Sequence, residues 1–405
     1  FTYYNNDFSV LCDSFERILC IKISQKTPKY QCGAILMGLD EILKLICEIE
    51  IKRKRVNVGL LDALGYVFAS DIYALRDLPS FDNSALDGYA FAYDDKNIPL
   101  KVCASVLAGD MNEYKISKGE CYKTMTGAPF AEGCDTLVAI EQANFNENGE
   151  LLIPSDIKKG NALKLRGEEL KKGELLFRAG QILNPSAITM LAAQGIAEIS
   201  VFAKPRLCVF CTGSEIKEPG EVASNKQIYN SNASAILSLL ASNHYGANYL
   251  GIVKDNKSSI SRALQHALNS ADIVITSGGA SKGDADYMAS VLGELGFEAL
   301  FNSIAFRPAS PTKLFKKDGK FVLVSPGNPL SCFVACYFVL LTLIRHFAGY
   351  KNPLAKTQNA TLKSTLHFKS GRDNLIIGSV KDGVFSPYND GKFSPSQILP
   401  LIKSN

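Results

Sequence analysis

The feature that most constrains this chain is a repeated order of short apolar run, polar turn and helical pattern in its second half. The apolar runs predict four strands, at Leu207–Thr212, Asn248–Val253, Asp272–Thr276 and Phe321–Val324. The segments between them have the spacing of helices, at about 233–242, 258–268 and 287–295. Strands that alternate with helices of about 10–15 residues pair in parallel under two helical layers. We therefore predict a three-layer α/β domain over residues 206–348.

Glycine and polar residues gather where these predicted strands end, which is where ligands bind in such sheets. Three glycines fall between Ser277 and Asp286, and a helical pattern begins at Tyr287. Such a loop can aim backbone N–H groups at an anion, although an ordinary tight turn is equally compatible with it. Its spacing matches neither the Walker loop nor the dinucleotide fingerprint. The other strand ends place acids and a rigid proline loop on the same rim: Glu215, Asp255 and Ser325–Ser331.

Charge and hydropathy exclude several classes of protein. The chain has 44 Lys or Arg against 40 Asp or Glu, a net charge of +4, and its one dense basic run, 52–55, follows an apolar helix. A solvated helix end explains that run better than a nucleic-acid site does. The longest uncharged apolar run, 331–344, is shorter than the roughly 20 residues that a bilayer span needs, so we predict a buried helix and no membrane contact.

The cysteines predict a reducing compartment. Charged residues interrupt the apolar patches near the N-terminus, which is unlike a signal peptide, so the 11 cysteines are most simply reduced thiols of a cytoplasmic protein. Cys208 and Cys211 form a C-x-x-C pair that could indicate zinc or redox chemistry. Because they lie in a predicted strand, their side chains point to opposite faces, and we interpret them as buried structural thiols.

The first half of the chain has a different pattern. Residues 1–36 show no clear period and form an uncertain N-terminal extension, and Met37 opens an amphipathic helix. From Leu78 to about Glu150, short apolar runs alternate with Gly, Asn and Asp turns, which indicates a β-rich unit. Within it, 78–91 mixes turn formers and acids with aromatic residues, and 124–129 is Thr-Met-Thr-Gly-Ala-Pro.

From Met37 onward the chain resembles the MoeA family of molybdopterin molybdenumtransferases, which is related to the E domain of gephyrin. The resemblance rests on six ordered blocks: Asp82–Ala90, Thr126–Pro129, Arg166–Glu168, Thr212–Glu215, Ser277–Gly279 with Asp286 and Tyr287, and Ser325–Ser331. It implies an elongated, four-domain subunit. The domains are expected at 37–86 with 163–205 (elongated N-terminal domain), 87–162 (inserted β-rich domain), 206–348 (α/β molybdopterin-binding domain) and 349–405 (short C-terminal β domain).

The resemblance also implies a function. The family inserts molybdate into adenylylated molybdopterin, uses Mg²⁺ and releases AMP, late in molybdenum cofactor biosynthesis. Its members are homodimers whose active site is shared between subunits, and a molybdopterin adenylyltransferase is the expected pathway partner. Carried over by position, the catalytic residues are Asp87, Thr126, Glu215, Asp255 and Asp286, of which Asp286 and Glu215 are expected to hold the metal. The substrate-binding residues are Ser277, Gly278, Gly279, Ser281, Arg307, Pro326, Gly327, Asn328 and Pro329.

The chain departs from the family pattern at several cationic positions. Ser303 and Ser310 stand where lysine is usual, and Ile377 stands where an arginine is usual. Arg307, Lys282 and Lys313 are the cations that could compensate. The C-terminal region ends in a segment that precedes the family's last strands. Two alternatives to the enzyme therefore remain: a pterin-binding paralogue with impaired catalysis, and a scaffold protein.

Overall fold

A computed structural model describes residues 8–11, 20–23, 37–110, 112–278, 287–362, 366 and 372–403. The chain divides into two units. The first comprises Phe1–Ser70, Ala179–Ile188 and Glu198–Asn405, and the second comprises Asp71–Arg178 and Thr189–Ala197. The boundaries of the four expected domains remain a prediction.

The predicted α/β sheet is the centre of the first unit. Six strands lie in the order Ala247–Val253, Leu207–Thr212, Ile273–Ser277, Lys320–Ser325, Lys313–Lys317 and Glu298–Phe301. The first four pair in parallel, as their alternation with helices predicts. The last two pair antiparallel and were not predicted. A hairpin turn at Asp318 and Gly319 connects Lys313–Lys317 to Lys320–Ser325. An antiparallel hairpin requires no intervening helix, so the alternating pattern gave no signal for it.

Both faces of this sheet are buried, which explains its nearly continuous apolar strands. On one face, Val209 and Ile275 pack with the helix that follows Pro329. On the other, Phe210 and Val274 pack with the helices Lys257–Ser270 and Tyr287–Glu294. The three-layer prediction is confirmed.

The helices of the first unit begin with residue types that favour a helix start. The helix Ser231–Ser242 follows Asn230, whose side chain accepts a hydrogen bond from the Ala233 N–H at 3.1 Å. Asn256 caps Lys257–Ser270 in the same way. The remaining helices are Leu39–Cys47, Pro185–Ala193 (which runs across the unit boundary), Pro329–Ala335, a π-helical turn at Cys336–Leu340, Leu341–Phe347 and Leu399–Ile402.

The helical run Pro329–Phe347 has the length and composition of a membrane span, but most of it is buried within the protein. Leu330, Val334 and Leu341 lie in the same core as the sheet. Its apolar character therefore serves packing, and the predicted buried helix is confirmed.

The C-terminal sheet combines strands from both ends of the chain. Thr357–Leu362, Asp373–Lys381 and Val384–Pro387 pair with one another, and Phe306–Arg307 adds an edge. Phe8–Leu11 pairs with Thr357–Leu362, and Cys20–Ile23 pairs with both Phe8–Leu11 and Asp373–Lys381. These pairings close a ring of five strands. Part of the segment that we treated as an uncertain extension thus joins the short C-terminal domain.

A smaller sheet completes the first unit. Its strands are Arg55–Gly59, Glu198–Phe202 and Val67–Phe68, all antiparallel. The amphipathic helix predicted from Met37 is observed at Leu39–Cys47 and buries Leu39, Ile42 and Ile46. Two short strands, Ile216–Lys217 and Ile228–Tyr229, form a separate parallel pair.

The second unit is β-rich, as its turn pattern predicts. Its main sheet has the order Thr136–Ala139, Gly88–Phe91, Glu120–Thr124 and Lys101–Val106. Three short antiparallel pairs surround it: Asn83–Ser84 with Leu163–Lys164, Ile72–Tyr73 with Leu175–Phe177, and Asn144–Phe145 with Leu151–Leu152. Two apolar clusters, around Tyr122 and around Phe91, cover the two faces of the main sheet.

Deleting residues 1–36 should loosen the C-terminal sheet and leave the α/β sheet intact. The strand Asp373–Lys381 would lose one of its hydrogen-bonding partners, Cys20–Ile23. Its amides should exchange with solvent faster by about tenfold or more, because local opening becomes easier. Hydrogen-exchange mass spectrometry measures this, with Leu207–Thr212 as the internal control. Equal protection of Asp373–Lys381 in the two proteins would contradict the pairing.

Candidate active site

A cavity of about 1110 Å³ lies at the carboxyl ends of the parallel strands. Thr212 ends one central strand and Ser277 ends its neighbour, and both line the cavity. After the first strand the chain passes to the sheet edge at Ala247–Val253, whereas after the second it passes to the opposite side. The loops therefore separate here and leave a crevice, as at the topological switch point of other open α/β sheets.

The turn after Ser277 requires glycine. Gly278 has φ +92°, and a Cβ at this position would collide with the Thr212 carbonyl oxygen. The absence of a side chain lets the turn pack directly against the neighbouring strand end. This contact joins the two loops that form the floor of the cavity.

The cavity contains most of the predicted residues of this unit: Glu215, Asp255, Ser277, Gly278, Pro326, Gly327, Asn328 and Pro329. Glu215 and Asp255 are exposed acids at two strand ends, so the predicted rim is present. Gly279, Ser281, Lys282 and Asp286 lie outside the described residues.

Arg307 is not among the described residues that line the cavity, and its predicted role in substrate binding stays a prediction. It follows the buried Phe306 in a two-residue strand that pairs with Asp373 and Asn374. Because side chains alternate along a strand, Phe306 enters the core and Arg307 is exposed. Ser303 and Ser310, two positions where family members carry lysine, do line the cavity.

Among the described residues that line the cavity, Arg372 is the one cation. It directly precedes the strand Asp373–Lys381, so the C-terminal sheet carries it to the wall. Ser396 and Ile398 of the same region also line the cavity. Our sequence reasoning missed all three residues.

The start of the helix Ser231–Ser242 forms a further part of the wall, through Asn230, Ser231 and Asn232. A helix N-terminus presents unpaired N–H groups and a positive dipole, which favour an anionic ligand. Our sequence reasoning missed these residues. The run Asn-Ser-Asn directly before a helical pattern is a typical N-cap and was the available signal.

Asp87 and Thr126 form a hydrogen-bonded pair within the second unit. The Asp87 carboxylate accepts the Thr126 N–H at 2.8 Å and the Thr126 hydroxyl at 2.9 Å. These two bonds hold the pKa of Asp87 below its usual range, with a smaller contribution from Lys123. The following residue must be glycine, because a Cβ at Gly88 would collide with the Val138 carbonyl oxygen. Asp87 is therefore ionised and fixed at neutral pH.

A second cavity, of about 790 Å³, lies at the amino ends of the parallel strands, opposite the first cavity. Three of its charged groups already have partners: Arg206 pairs with Asp272 at 2.9 Å, and the Lys204 ammonium donates to the His244 carbonyl at 2.7 Å. Burial lowers the pKa of Lys204 to about 8. The cavity at the strand carboxyl ends, with its exposed acids and helix start, is the better candidate for chemistry.

Two family profiles together match most of the chain. Residues 37–195 match the family profile described as MoeA N-terminal region (domain I and II). Residues 208–346 match the profile described as probable molybdopterin binding domain.

Individual relatives match across most of the chain. The molybdopterin molybdenumtransferase of Staphylococcus aureus strain Mu50 is 32% identical over 331 residues, which cover 80% of this chain and 79% of the relative. That of Haemophilus influenzae is 32% identical over 319 residues, covering 78% and 79%. A crystal structure of molybdopterin biosynthesis moeA protein from Pyrococcus horikoshii OT3 superimposes with a TM-score of 0.75 at 26% identity, covering 91% of this chain and 94% of that chain.

Replacing Thr126 by Val should raise the pKa of Asp87 towards its ordinary value of about 3.9. The change removes the hydroxyl donor and keeps the backbone donor, so the rise should be partial. Because the folded pKa is depressed, the pair stabilises the protein above about pH 4 and loses this effect as pH falls through the folded pKa. Carboxyl ¹³C NMR, assigned with an Asp87→Asn spectrum, measures the titration.

Thr124→Val is the matched control for this titration. Thr124 lies two residues away, and its buried hydroxyl has no hydrogen-bond partner within the described part of the chain. It should leave the Asp87 titration unchanged. An unchanged titration in Thr126→Val as well would show that the hydroxyl does not stabilise the carboxylate.

Proposed function

This chain belongs to the molybdopterin molybdenumtransferase (MoeA) family and is a transferase of molybdenum cofactor biosynthesis; from that premise we propose that it inserts molybdate into adenylylated molybdopterin and releases AMP. The observation that carries the proposal is the cavity at the switch point of the α/β sheet, where Glu215, Asp255 and the 326–329 loop meet. A cavity of about 1110 Å³ is large enough for a ligand of this size.

The cavity walls offer distinct groups to the parts of such a substrate. The helix start at Ser231 and the turn at Ser277 and Gly278 present N–H and hydroxyl donors, which suit phosphate oxygens. Pro326 and Pro329 form a rigid apolar wall, which suits the face of a pterin ring. We assign Arg372 to an anionic group of the substrate or to molybdate itself.

The residues present fit a magnesium ion. Mg²⁺ is bound through oxygen ligands, commonly one or two carboxylates together with substrate phosphates and waters. Glu215 and Asp255 are exposed carboxylates on one cavity, whereas no group of three or more metal-ligating side chains occurs among the described residues. We propose that Glu215 holds the ion, together with Asp286 and with Asp255 nearby. A bound Mg²⁺ would neutralise the phosphate charge and so let the anionic substrate approach these carboxylates.

We propose a homodimer in which Asp87 and Thr126 of one copy complete the cavity of the other. The surface around this pair supports the idea, because Phe81, Leu86 and Met125 are 46%, 48% and 37% exposed. Backbone hydrogen bonds between Ser84 and the 127–128 turn place their segments side by side. Exposed apolar side chains around a fixed carboxylate are what a protein interface needs.

We place the enzyme in the cytoplasm, downstream of a molybdopterin adenylyltransferase. The cysteines from Cys47 to Cys336 are free thiols, which is typical of a reducing compartment. The upstream adenylyltransferase follows from the proposed substrate, since an adenylylated pterin must be made before it can be used.

A pterin-binding paralogue with impaired catalysis is the second candidate function. The observation in its favour is the shortage of cations: Ser303 and Ser310 line the cavity where lysines are usual. A charge-assisted hydrogen bond contributes about 1.5–3 kcal/mol. The enzyme remains the better-supported proposal because Glu215, Asp255 and the Asp87–Thr126 pair are all present.

Mixing two inactive variants should restore part of the activity if the site is shared. Asp87→Ala and Glu215→Ala homodimers should each release little or no AMP from adenylylated molybdopterin, Mg²⁺ and molybdate. Random mixing makes half of the dimers heterodimers, with one of two sites intact, so recovery should approach roughly a quarter of the parent rate. Differently tagged chains confirm the heterodimer.

The matched control is a mixture of Asp87→Ala with Thr126→Ala. Both changes damage the same half of the site, so no intact site can form and no recovery is expected. If confirmed heterodimers of the first mixture also remain inactive, each site is contained within one chain.

Restoring lysine at the two serine positions should improve the use of molybdate. Ser303→Lys with Ser310→Lys should lower the molybdate concentration needed for half-maximal AMP release, by roughly tenfold for each 1.4 kcal/mol gained. The gain should shrink as salt rises, since exposed charges are screened. Asn302→Lys is the matched control, because it adds a cation beside Ser303 at an exposed position that does not line the cavity. If the double variant uses molybdate no better than that control, the two missing lysines do not limit the reaction. The impaired paralogue then loses its main support.

A further inference from the structure

Asn232 holds the two sides of the cavity together. It lies in the first turn of the helix Ser231–Ser242 and is only 7% exposed. Its side-chain amide nitrogen donates to the Ser277 hydroxyl at 2.7 Å and to the Gly327 carbonyl at 2.8 Å. One side chain thus joins the helix start to the turn after Ser277 and to the proline loop.

The same contacts determine which way the amide points. Both N–H groups of the Asn232 amide are used, and a flipped amide would set its oxygen against the Gly327 carbonyl oxygen. The amide oxygen is therefore the atom left over. It is buried and has no hydrogen-bond partner among the described residues. Because buried acceptors are rarely left unpaired in native proteins, this atom indicates a missing donor.

A phosphate or molybdate oxygen cannot be the partner of this atom. An amide oxygen only accepts hydrogen bonds, so it would repel a phosphate or molybdate oxygen and attract an N–H or O–H group. The Thr212 hydroxyl, on the same cavity wall, is also buried without a partner and can donate or accept. The two atoms together suit a heterocycle edge that carries both a donor and an acceptor.

Resting on the proposed function, we propose that the Asn232 amide oxygen accepts a hydrogen bond from the 2-amino group of the pterin and thereby selects this ring. The proline wall beside it supports the assignment, because the Gly327 carbonyl that anchors Asn232 lies between Pro326 and Pro329. A ring lying along those prolines would meet Asn232 with its edge. The adenylate ribose, which also carries donors, is the competing source.

Ring selection can be measured by binding alone. Pterin carries a 2-amino group, and lumazine carries an oxygen in its place, so lumazine would set an acceptor against the Asn232 oxygen. The full-length parent should bind pterin about tenfold or more tighter than lumazine in equilibrium dialysis, because a site built for a donor rejects the analogue that lacks it. Asn232→Leu should bring the ratio of the two dissociation constants close to one. AMP affinity is expected to fall as well in that variant, because Asn232 also anchors the Ser277 turn, so the ratio of the pterin and lumazine dissociation constants is the deciding quantity.

Ser277→Ala separates recognition from loop positioning. It removes one partner of the Asn232 amide nitrogen and leaves the amide oxygen in place. It should keep the preference for pterin over lumazine even if both bind more weakly. If thermal melting shows that Asn232→Leu is not folded, Asn232→Asp replaces it, because this variant keeps the size of the side chain. Its added negative charge should weaken AMP binding. Since a carboxylate oxygen also accepts hydrogen bonds, the preference for pterin over lumazine should remain.

The outcomes are distinct. A pterin preference that persists in Asn232→Leu, or a loss of AMP affinity alone in that variant, would overturn the assignment to the pterin. A parent protein that releases no AMP but discriminates the two rings would contradict the proposed reaction and keep the role of Asn232. A parent that releases AMP but binds the two rings equally well would contradict the role of Asn232 and keep the proposed reaction.

Discussion

The candidate site depends on the direct contact between Gly278 and the end of the neighbouring strand. Two central parallel strands end side by side, and their loops leave in opposite directions. Since Gly278 lacks a side chain, its turn rests on the Thr212 carbonyl, and the crevice begins at that contact. The helix start at Ser231, the acids at the other strand ends and the proline loop are all placed relative to it. A side chain at this one position would separate the two halves of the floor.

The balance of charge in the cavity is the reason why we propose a cation there. Its described walls contain two carboxylates, one arginine, a helix N-terminus and several neutral hydrogen-bonding groups. Two exposed acids repel a phosphate, so an anionic substrate can approach them only with a positive ion between. Neutral groups such as Asn232 then have a different task. They distinguish the uncharged part of the substrate, for which electrostatic attraction carries no information.

Sequence reasoning was accurate wherever local pattern decides the outcome. The four parallel strands, the helices between them and the acids at the strand ends follow from periodicity and from the strand–turn–helix order. Elsewhere, contacts distant in sequence decide the outcome. Arg307 was assigned by position in a motif, and its role stays a prediction because it lies in a two-residue strand and not among the residues that line the cavity. The Arg166–Glu168 block, for which we predicted no role, joins backbone segments: the Arg166 backbone N–H donates to the Asp82 carboxylate at 2.7 Å and the Gly167 N–H to the Pro79 carbonyl at 2.9 Å. The buried amide of Asn232 depends on contacts distant in sequence, which no local pattern reveals.

The ring of five strands joins segments that lie far apart in sequence, and this has a consequence during synthesis. Phe8–Leu11 precedes its partner Thr357–Leu362 by about 350 residues, so it leaves the ribosome well before that partner is made. Contacts of such sequence separation form late, because the intervening chain must be closed into a loop. At about 5–20 residues per second, the early strands would wait tens of seconds for their partners. The α/β sheet can be complete before then, so the wall that carries Arg372 is the last part of the cavity to be built.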